Sequence, residues 1–419
     1  MKKENSVFVY AGWSKDEPLI GQLFYSLTRG NEVYSFEYSD DYLSSSRIQL
    51  DPELQLFRGR QFPALSSTSK IFGMFADCCP DRWGRKLLQR KEALSAKEEK
   101  RPPRELFEIN YLLEIQDEAR LGGLRFKWSD DDDTYIGTES SCPVPPMASL
   151  RKLQQASLKY ESDAGMDNDK WFYQLLEPGS SLGGARPKAT VKDVDGSLWI
   201  AKFPSKNDAS DNCAWEKIVN DLAALAGLDV AESKFERFAG KSCFLSKRFD
   251  RVTSKHCTKR IHFSSAMSRL SRTDGDSSAA SYLDIAEFIR TGSSEPRRDL
   301  RELWRRLVFN ISISNTDDHL RIHGFLVAPK GWRLSPFYDI TPDPYKQSLS
   351  LNITEADNAK DVRLALDTAR YYGISEAQAK ADVSRIQTMI KAKWRGLATK
   401  YGIPRGEQER MKPAFETRP

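Results

Sequence analysis

A glycine-rich stretch that runs directly into two strand-like segments constrains this fold more than any other feature of the sequence. The stretch reads GSSLGGARPKA over residues 179–189 and contains Gly183 and Gly184. The segments that follow, residues 189–193 and 197–203, are separated by an Asp-Gly pair, which is a strong signal for a hairpin turn. The sequence therefore predicts a glycine-rich loop that leads into a β-hairpin.

Three stretches of different character predict an α+β fold with more than one domain. The first combines short aromatic and β-branched runs with helical patterns, and it ends in an acidic and proline-rich segment, residues 129–147, that interrupts all periodicity. Strand-like runs dominate the second stretch, and apolar residues at helical spacing dominate the third. We expect an N-terminal subdomain at 1–147, a strand-rich lobe at 148–250 and a helical lobe at 251–419.

The composition argues against several classes of protein. The 419 residues carry 64 basic and 59 acidic side chains, and the formal charge of +5 requires neither a nucleic acid nor an acidic membrane as partner. Six scattered cysteines match neither a metal-binding spacing nor a disulfide framework. No run approaches the roughly 18 apolar residues that a membrane-spanning helix needs. We therefore expect a cytoplasmic protein that does not use a membrane.

The glycine-rich stretch and the residues after it suit a nucleotide. Backbone amides in such a loop can approach phosphate oxygens, because few side chains intervene. The stretch is neither a G-x-x-x-x-G-K-[ST] phosphate loop nor a G-x-G-x-x-G dinucleotide fingerprint, so alone it is a weak signal. Lys202 on the second predicted strand could reach phosphates, and Glu216 on the next predicted helix could hold its ammonium by an ion pair. Taken singly, such residues are usually solvated.

Two aspartates further along complete the residues that phosphoryl transfer needs. Asp317 lies in NTDDHLRIHGF, directly after a strongly apolar predicted helix, and Asp339 follows in SPFYDI. One aspartate can accept a hydroxyl proton and a second can bind the magnesium that bridges the phosphates. The order along the chain is then glycine loop, lysine, helix glutamate, base and metal ligand.

Several motifs in this order resemble one family. They are GSSLGGARPKA, FLSKRFDR, SNTDDHLRIHGFL and LSPFYDI, with PDRWGRKLL in the N-terminal part. The chain resembles, over nearly its whole length, the HipA family of bacterial serine/threonine kinases, the toxins of type II toxin-antitoxin modules. The resemblance implies a bilobal kinase-like fold with an extra strand-rich N-terminal subdomain and a helical C-terminal lobe. It also implies ATP and magnesium as cofactors and a protein hydroxyl as phosphate acceptor.

The resemblance further implies partners and roles for individual residues. The partner is a DNA-binding antitoxin of the HipB kind, so DNA is reached only through it, and family precedent points to an aminoacyl-tRNA synthetase as protein substrate. Asp317 is implied to be catalytic and Asp339 to bind magnesium. Ser181 matches a loop serine that family members autophosphorylate, which is thought to eject the loop and silence the enzyme. The residues implied to bind ATP are Ser181, Gly183, Gly184, Lys188, Lys202, Glu216, Lys247 and Phe249.

One residue departs from the family pattern. Kinases place an asparagine five residues after the catalytic aspartate as a second magnesium ligand, and here that position is Ile322. Isoleucine cannot bind a hard cation. Three interpretations stay open: a working kinase with one weaker metal site, helped by Asp318; a pseudokinase; and a deliberately inactivated variant.

Two rival functions come from other classes of protein. Asp317, Asp318, His319 and His323 could instead bind a transition metal for hydrolysis, although this would leave the glycine loop without a role. A catalytically silent kinase fold could serve as a module that binds the antitoxin. The basic stretch at residues 391–410 is more typical of a solvated helix face than of a DNA contact.

Overall fold

The computed structural model describes residues 5–28, 31–45, 48–64, 70–138, 143–162, 175, 184–254, 258–273 and 280–416. Ser181 and Gly183 therefore lie outside the described residues. The strands in the described part are β1 (Asn5–Ala11), β2 (Leu19–Thr28), β3 (Asn31–Tyr38), β4 (Leu124–Lys127), β5 (Lys188–Lys192), β6 (Leu198–Lys202), β7 (Ser233–Phe238), β8 (Lys241–Lys247), β9 (Arg251–Thr253), β10 (Thr258–Arg260), β11 (Phe263–Ser265), β12 (Gly324–Ala328) and β13 (Gly331–Leu334).

The helices in the same residues are mostly in the C-terminal half. They are α1 (Asp40–Ser45), α2 (Gly73–Ala76), α3 (Arg82–Glu98), α4 (Glu108–Leu113), α5 (Leu150–Glu161), α6 (Asn212–Leu225), α7 (Ala266–Arg269), α8 (Tyr282–Gly292), α9 (Pro296–Ser312), α10 (Val362–Thr368), α11 (Glu376–Lys400) and α12 (Arg405–Phe415). Short 3₁₀ turns occur at Met147–Ser149, Leu320–Ile322 and Ala369–Tyr372. The mixture of helices and sheets confirms the predicted α+β class. No helix in the described ranges is long and apolar enough to cross a bilayer.

The chain divides into two compact units. Unit 1 comprises Met1–Ala201 with Asp250–Ser264, and unit 2 comprises Lys202–Phe249 with Ser265–Pro419. The domain boundaries at residues 147 and 250 stay a prediction.

Unit 1 is built on an antiparallel sheet with the strand order β3-β2-β1-β4. Alternate positions on these strands face one core, where Val7, Leu23 and Phe36 are fully buried. The helix α3 begins where Asp81 accepts a hydrogen bond from the amide of Gly84, as an N-cap does. This unit also holds the predicted hairpin: β5 and β6 are neighbours, joined by a turn in which Gly196 has a φ of +83°.

Unit 2 carries the residues that the sequence places in catalysis. The strands β7 and β8 pair in antiparallel register, with Ser233 opposite Ser246. The helix α6 ends before Gly227, whose φ of +73° suits a residue without a side chain, as a glycine that follows a helix often does. In the helical part, the buried side chain of Trp394 stacks on Phe415 with ring centroids 4.9 Å apart.

Candidate active site

A buried lysine that contacts two carboxylates lies at the centre of the candidate site. The ammonium of Lys202, at the end of β6, donates to Glu216 Oε1 at 2.5 Å and also to Asp339 Oδ1. The three side chains are only 14%, 6% and 24% exposed, respectively. The ion pair between Lys202 and Glu216 is the one that the sequence predicts, whereas the contact with Asp339 is an additional finding.

Two carboxylates face one ammonium in this cluster. Burial lowers the pKa of Lys202, but the negative charges of Asp339 and Glu216 outweigh it and hold that pKa above its usual value, so the lysine is charged at neutral pH. Paired carboxylates suit a divalent cation, and an anionic ligand that comes with the cation could take over contacts of Lys202.

The backbone around Asp339 presents its carboxylate to the lysine. The amide of Phe337 donates to the carbonyl of Asp229 at 2.7 Å, and the carbonyl of Phe337 accepts from Ala231 at 2.9 Å, which fixes the chain just before the aspartate. Asp339 itself has a φ of +56°, a left-handed conformation that costs free energy for a residue with a side chain. Such strain persists where the surroundings enforce it, and it is often found at functional sites.

Asp317 lies on an irregular segment after α9, and its side chain is exposed. The residues on either side of it are buried, including Thr316 and Asp318. The segment also contacts the Asp339 region, since the hydroxyl of Tyr338 donates to the carbonyl of Arg321 at 2.7 Å. A carboxylate that is exposed while its neighbours are anchored can meet a substrate hydroxyl without first breaking internal contacts.

A buried hydrogen-bond network holds the segment that carries Asp317. Asp318 accepts from the hydroxyl of Tyr282 at 2.7 Å and from the amide of Ser350 at 2.8 Å. Asn310 donates to the same tyrosine oxygen at 2.9 Å, and Asn315 donates to Asn310 at 3.0 Å. Burial raises the pKa of Asp318 to about 6 in spite of these hydrogen bonds. Since both of its oxygens are engaged, Asp318 acts as an anchor for the segment, and it has little capacity left to support a weak metal site.

Removal of the Tyr282 hydroxyl should destabilise the protein measurably. Tyr282→Phe leaves a carboxylate oxygen of Asp318 and an amide of Asn310 buried without their partner, which we expect to cost about 1–3 kcal/mol or more of unfolding free energy. Tyr372→Phe is the matched control, because the hydroxyl of Tyr372 is equally buried but has no hydrogen-bond partner among the described residues. Chemical denaturation of both variants compares them, and an equal loss would contradict the network.

Ile322 is buried at the end of the 3₁₀ turn Leu320–Ile322, with 1% of its surface exposed. It brings an apolar side chain to the position where the family pattern has a metal-binding asparagine. The side chain of Ile322 therefore offers no oxygen ligand to a magnesium ion at this position.

The other predicted ATP-binding residues have partners of their own. Lys247 pairs with Glu232 at 2.8 Å on the surface, and the ring of Phe249 lies 5.2 Å from that of Tyr338. In unit 1, Lys188 is buried and donates to Asp81, the N-cap of α3, at 2.7 Å. Gly184 adopts a φ of +95°, and a Cβ there would lie 3.1 Å from the Lys188 ammonium. The roles of these residues in binding ATP stay predictions.

The arrangement gives little support to a transition-metal site. Among the described residues, no group of three or more histidines, cysteines, aspartates or glutamates could hold a metal ion. His323 is fully buried, and burial together with the positive charge of Arg306 lowers its pKa to about 3. Its ring packs against that of Tyr282, with centroids 5.2 Å apart. The histidine therefore belongs to the packing beneath the Asp317 segment.

Comparison with known families identifies the chain. The sequence pattern described as the HipA-like C-terminal domain matches residues 180–394, which is more than half of the 419 residues. The chain belongs to the HipA family. The pattern of the HipA N-terminal domain matches residues 14–102 as well. Both parts of a HipA protein are thus present in this chain.

Solved structures and curated relatives agree with the family. The structure resembles HipA in a complex titled "Toxin Antitoxin System HipA, HipB and its operator DNA" from Shewanella oneidensis MR-1, with a TM-score of 0.68 and 16% identity, over 98% of this chain and 96% of that one. This likeness confirms the HipA fold.

Two curated relatives match part of the chain. "Putative kinase Y4mE" of Sinorhizobium fredii is 28% identical over 180 residues, which are 38% of this chain and 41% of that protein. A "Putative kinase" of Haemophilus influenzae is 26% identical over 193 residues, which are 41% of this chain and 55% of that protein. The chain thus spans about half the length of the curated relatives it matches.

Proposed function

We propose that this HipA-family chain is an ATP-dependent protein serine/threonine kinase. The observation that carries the proposal is the Lys202 ammonium, which is bonded both to Glu216 on α6 and to Asp339 after β13. This combination of a lysine, a helix glutamate and a metal-binding aspartate is what phosphoryl transfer requires, because its catalysis is mainly positioning and charge neutralisation. The names of the curated relatives support the same reaction class.

Each residue of the site has a defined task in this proposal. Lys202 binds ATP phosphates, and Glu216 keeps its side chain extended and charged. Asp317 accepts the proton of the substrate hydroxyl, for which its exposure is suited. Asp318, Tyr282 and the asparagines beneath them hold Asp317 in place.

ATP and magnesium fit the groups that are present. Asp339 would hold the metal ion, and the two carboxylates that face the Lys202 ammonium favour a cation there. Magnesium supplies positive charge that neutralises the phosphates when it is bound. The glycine-rich loop with Lys188, and Lys247 with Phe249, would border the phosphates and the adenine.

The proposed partners follow from the family and from one neighbour. The Shewanella HipA occurs in a complex with HipB and operator DNA. We therefore propose a HipB-like antitoxin for this chain, with DNA contacted only through it, and a protein substrate such as an aminoacyl-tRNA synthetase. Co-purification with the product of a neighbouring small helix-turn-helix reading frame tests the antitoxin.

Ser181 should become phosphorylated when the protein is incubated with magnesium and ATP. Added charge of about −1.5 to −2 in the glycine-rich loop would repel bound phosphates, which gives the modification a regulatory effect. Intact-mass measurement and peptide mapping check both the reaction and its acceptor, with Ser181→Ala as the control. Modification confined to Ser180, or absent from demonstrably active protein, would argue against this role.

Ile322→Asn should raise the transfer rate and lower the magnesium requirement. An asparagine carbonyl adds an oxygen ligand of the kind magnesium prefers, and one preorganised contact of this sort is worth about 10²-fold to 10³-fold in rate. Because Ile322 is buried, the substitution should also lower the stability of the ligand-free protein. Single-turnover autophosphorylation across a magnesium titration measures the effect, and Ile322→Leu, which adds no oxygen, is the control.

A silent pseudokinase is the second candidate, and the buried Ile322 is the observation that favours it. In that case Ile322→Asn would change neither the rate nor the magnesium requirement, while Asp339→Ala would still lose ATP binding. The site would then bind ATP as part of a module that holds the antitoxin.

A further inference from the structure

An arginine-rich cavity in unit 2 has no part in the proposed transfer reaction. It has a volume of about 980 Å³ and is lined by the three residues 227–229 that follow α6, the first part of α9, the end of β13 and two residues of α11. Seven arginines and four carboxylates line it. The lining contains none of the residues Lys202, Glu216, Asp317 and Asp339. A ligand of this cavity would therefore bind outside the proposed active site.

The carboxylates of the cavity neutralise only some of the arginines. Arg333 pairs with Asp299 at 2.9 Å, and Arg306 pairs with Glu302 at 2.9 Å. Within each pair the carboxylate balances the charge of the arginine, so neither arginine needs a further ligand. Arg298 also pairs with Glu295 outside the lining, at 3.5 Å. The seven arginines still outnumber the four lining carboxylates, which include Asp229, so a positive charge remains in excess.

Two of those arginines converge on one carboxylate, and a third lies beside them. Asp382 lies 3.4 Å from Arg301 and 3.1 Å from Arg385, so a single negative charge faces two guanidinium groups. Arg305 lies beside them without any ion pair among the described residues. Its one hydrogen bond goes to the carbonyl of Ala226 at 2.6 Å, and its Nε is buried without an acceptor. Burial lowers the pKa of Arg305 in spite of the opposing charge of Glu302, and the charge of Arg385 adds to the lowering.

Part of this arrangement serves the fold. Arg385 also donates to the Ala226 carbonyl, at 2.8 Å, so both arginines satisfy the carboxyl end of α6. That role uses one N–H group of each side chain, whereas a guanidinium carries five. The Nε of Arg305 and the net positive charge of the three arginines are therefore available to a ligand.

We propose that this cavity binds the phosphate group of a small molecule, held by Arg301, Arg305 and Arg385. A phosphate offers several acceptor oxygens to the planar fork of each guanidinium, and its negative charge supplies what Asp382 alone does not. The phosphate group can come from free orthophosphate or from a small phosphate monoester. The inference does not depend on kinase activity.

The test is calorimetric titration of the whole chain with orthophosphate and, separately, with glycerol 3-phosphate, at low ionic strength and without magnesium or ATP. Both Arg305→Gln and Arg301→Gln should weaken phosphate binding, the first by about tenfold or more, since it removes a charge-assisted hydrogen bond. Arg410→Gln, an exposed arginine of α12, is the matched control and should bind as the unaltered chain does. A repeat titration of the unaltered chain with magnesium and ATP present should give the same affinity, which separates this cavity from the ATP site.

The outcomes separate the possible ligands. Tighter binding of glycerol 3-phosphate identifies an ester whose organic part also lies in the cavity, and equal affinities identify the free anion. If Arg305→Gln does not fold, Arg301→Gln decides, because the Arg301 side chain is 56% exposed and its loss should be tolerated. Failure of orthophosphate and the ester to bind, or equal affinity in Arg301→Gln and Arg410→Gln, overturns the proposal.

Discussion

Asp317→Asn is expected to lower phosphoryl transfer by about 10²-fold to 10⁴-fold, the usual contribution of a positioned general base. ATP affinity should hardly change, because the base acts on the substrate hydroxyl and not on the nucleotide. Stability should stay within about 0.5 kcal/mol of the unaltered chain, since the Asp317 side chain is exposed. Single-turnover transfer, ATP titration and chemical denaturation measure the three quantities.

The neighbouring aspartate provides the control for this experiment. Asp318→Asn should lower the unfolding free energy by about 1–3 kcal/mol, because asparagine cannot accept hydrogen bonds from both Tyr282 and Ser350 on two oxygens. We thus expect substitution of Asp317 to lower the transfer rate and substitution of Asp318 to lower the stability. If Asp317→Asn lost ATP affinity as strongly as transfer, the base assignment would be wrong.

Lys202→Met should abolish magnesium-dependent ATP binding and lower transfer by about 10²-fold or more, because it removes the cation that contacts the phosphates. It should also lower the stability by up to about 3–5 kcal/mol, since the buried Glu216 carboxylate loses its ion pair with Lys202. The double variant Lys202→Met, Glu216→Gln should regain much of the stability and none of the ATP binding. Calorimetry with magnesium and ATP, together with denaturation, tests both statements.

A second buried lysine supplies the control for Lys202. Lys217 lies on α6, next to Glu216, and pairs with Asp221 at 2.8 Å, with 11% of its side chain exposed. Lys217→Met should lower stability and leave ATP affinity unchanged. Recovery of ATP binding in the double variant Lys202→Met, Glu216→Gln would show that Lys202 supports ATP binding only by stabilising the fold.

Local signals in the sequence predicted the framework of the site. The Asp-Gly turn, the glycine after α6 and the spacing of Lys202 and Glu216 depend on neighbouring residues or on one helix, so chemical rules for turns and caps apply to them directly. The position of Ile322 was equally visible as a departure from a motif. These features are short-range, and the structure contains each of them.

Long-range contacts could not be predicted in this way. Tyr282 and Asp318 are 36 residues apart, and no pattern in either segment indicates that a tyrosine hydroxyl reaches that carboxylate. The bond between Lys202 and Asp339 spans 137 residues, and the left-handed backbone of Asp339 depends on the pairing of Phe337 with a distant segment. Such contacts exist only after the tertiary fold has brought the segments together.

Transfer of the ATP γ-phosphate by the unaltered chain tests the central claim most directly. The measurement combines ATP binding with incorporation of label from γ-labelled ATP into protein serine or threonine, with and without a magnesium chelator. The account predicts binding and incorporation that both need magnesium, and protein that holds no stoichiometric zinc. If the antitoxin-free chain binds ATP tightly but incorporates no label in the presence of a protein acceptor, the account is contradicted.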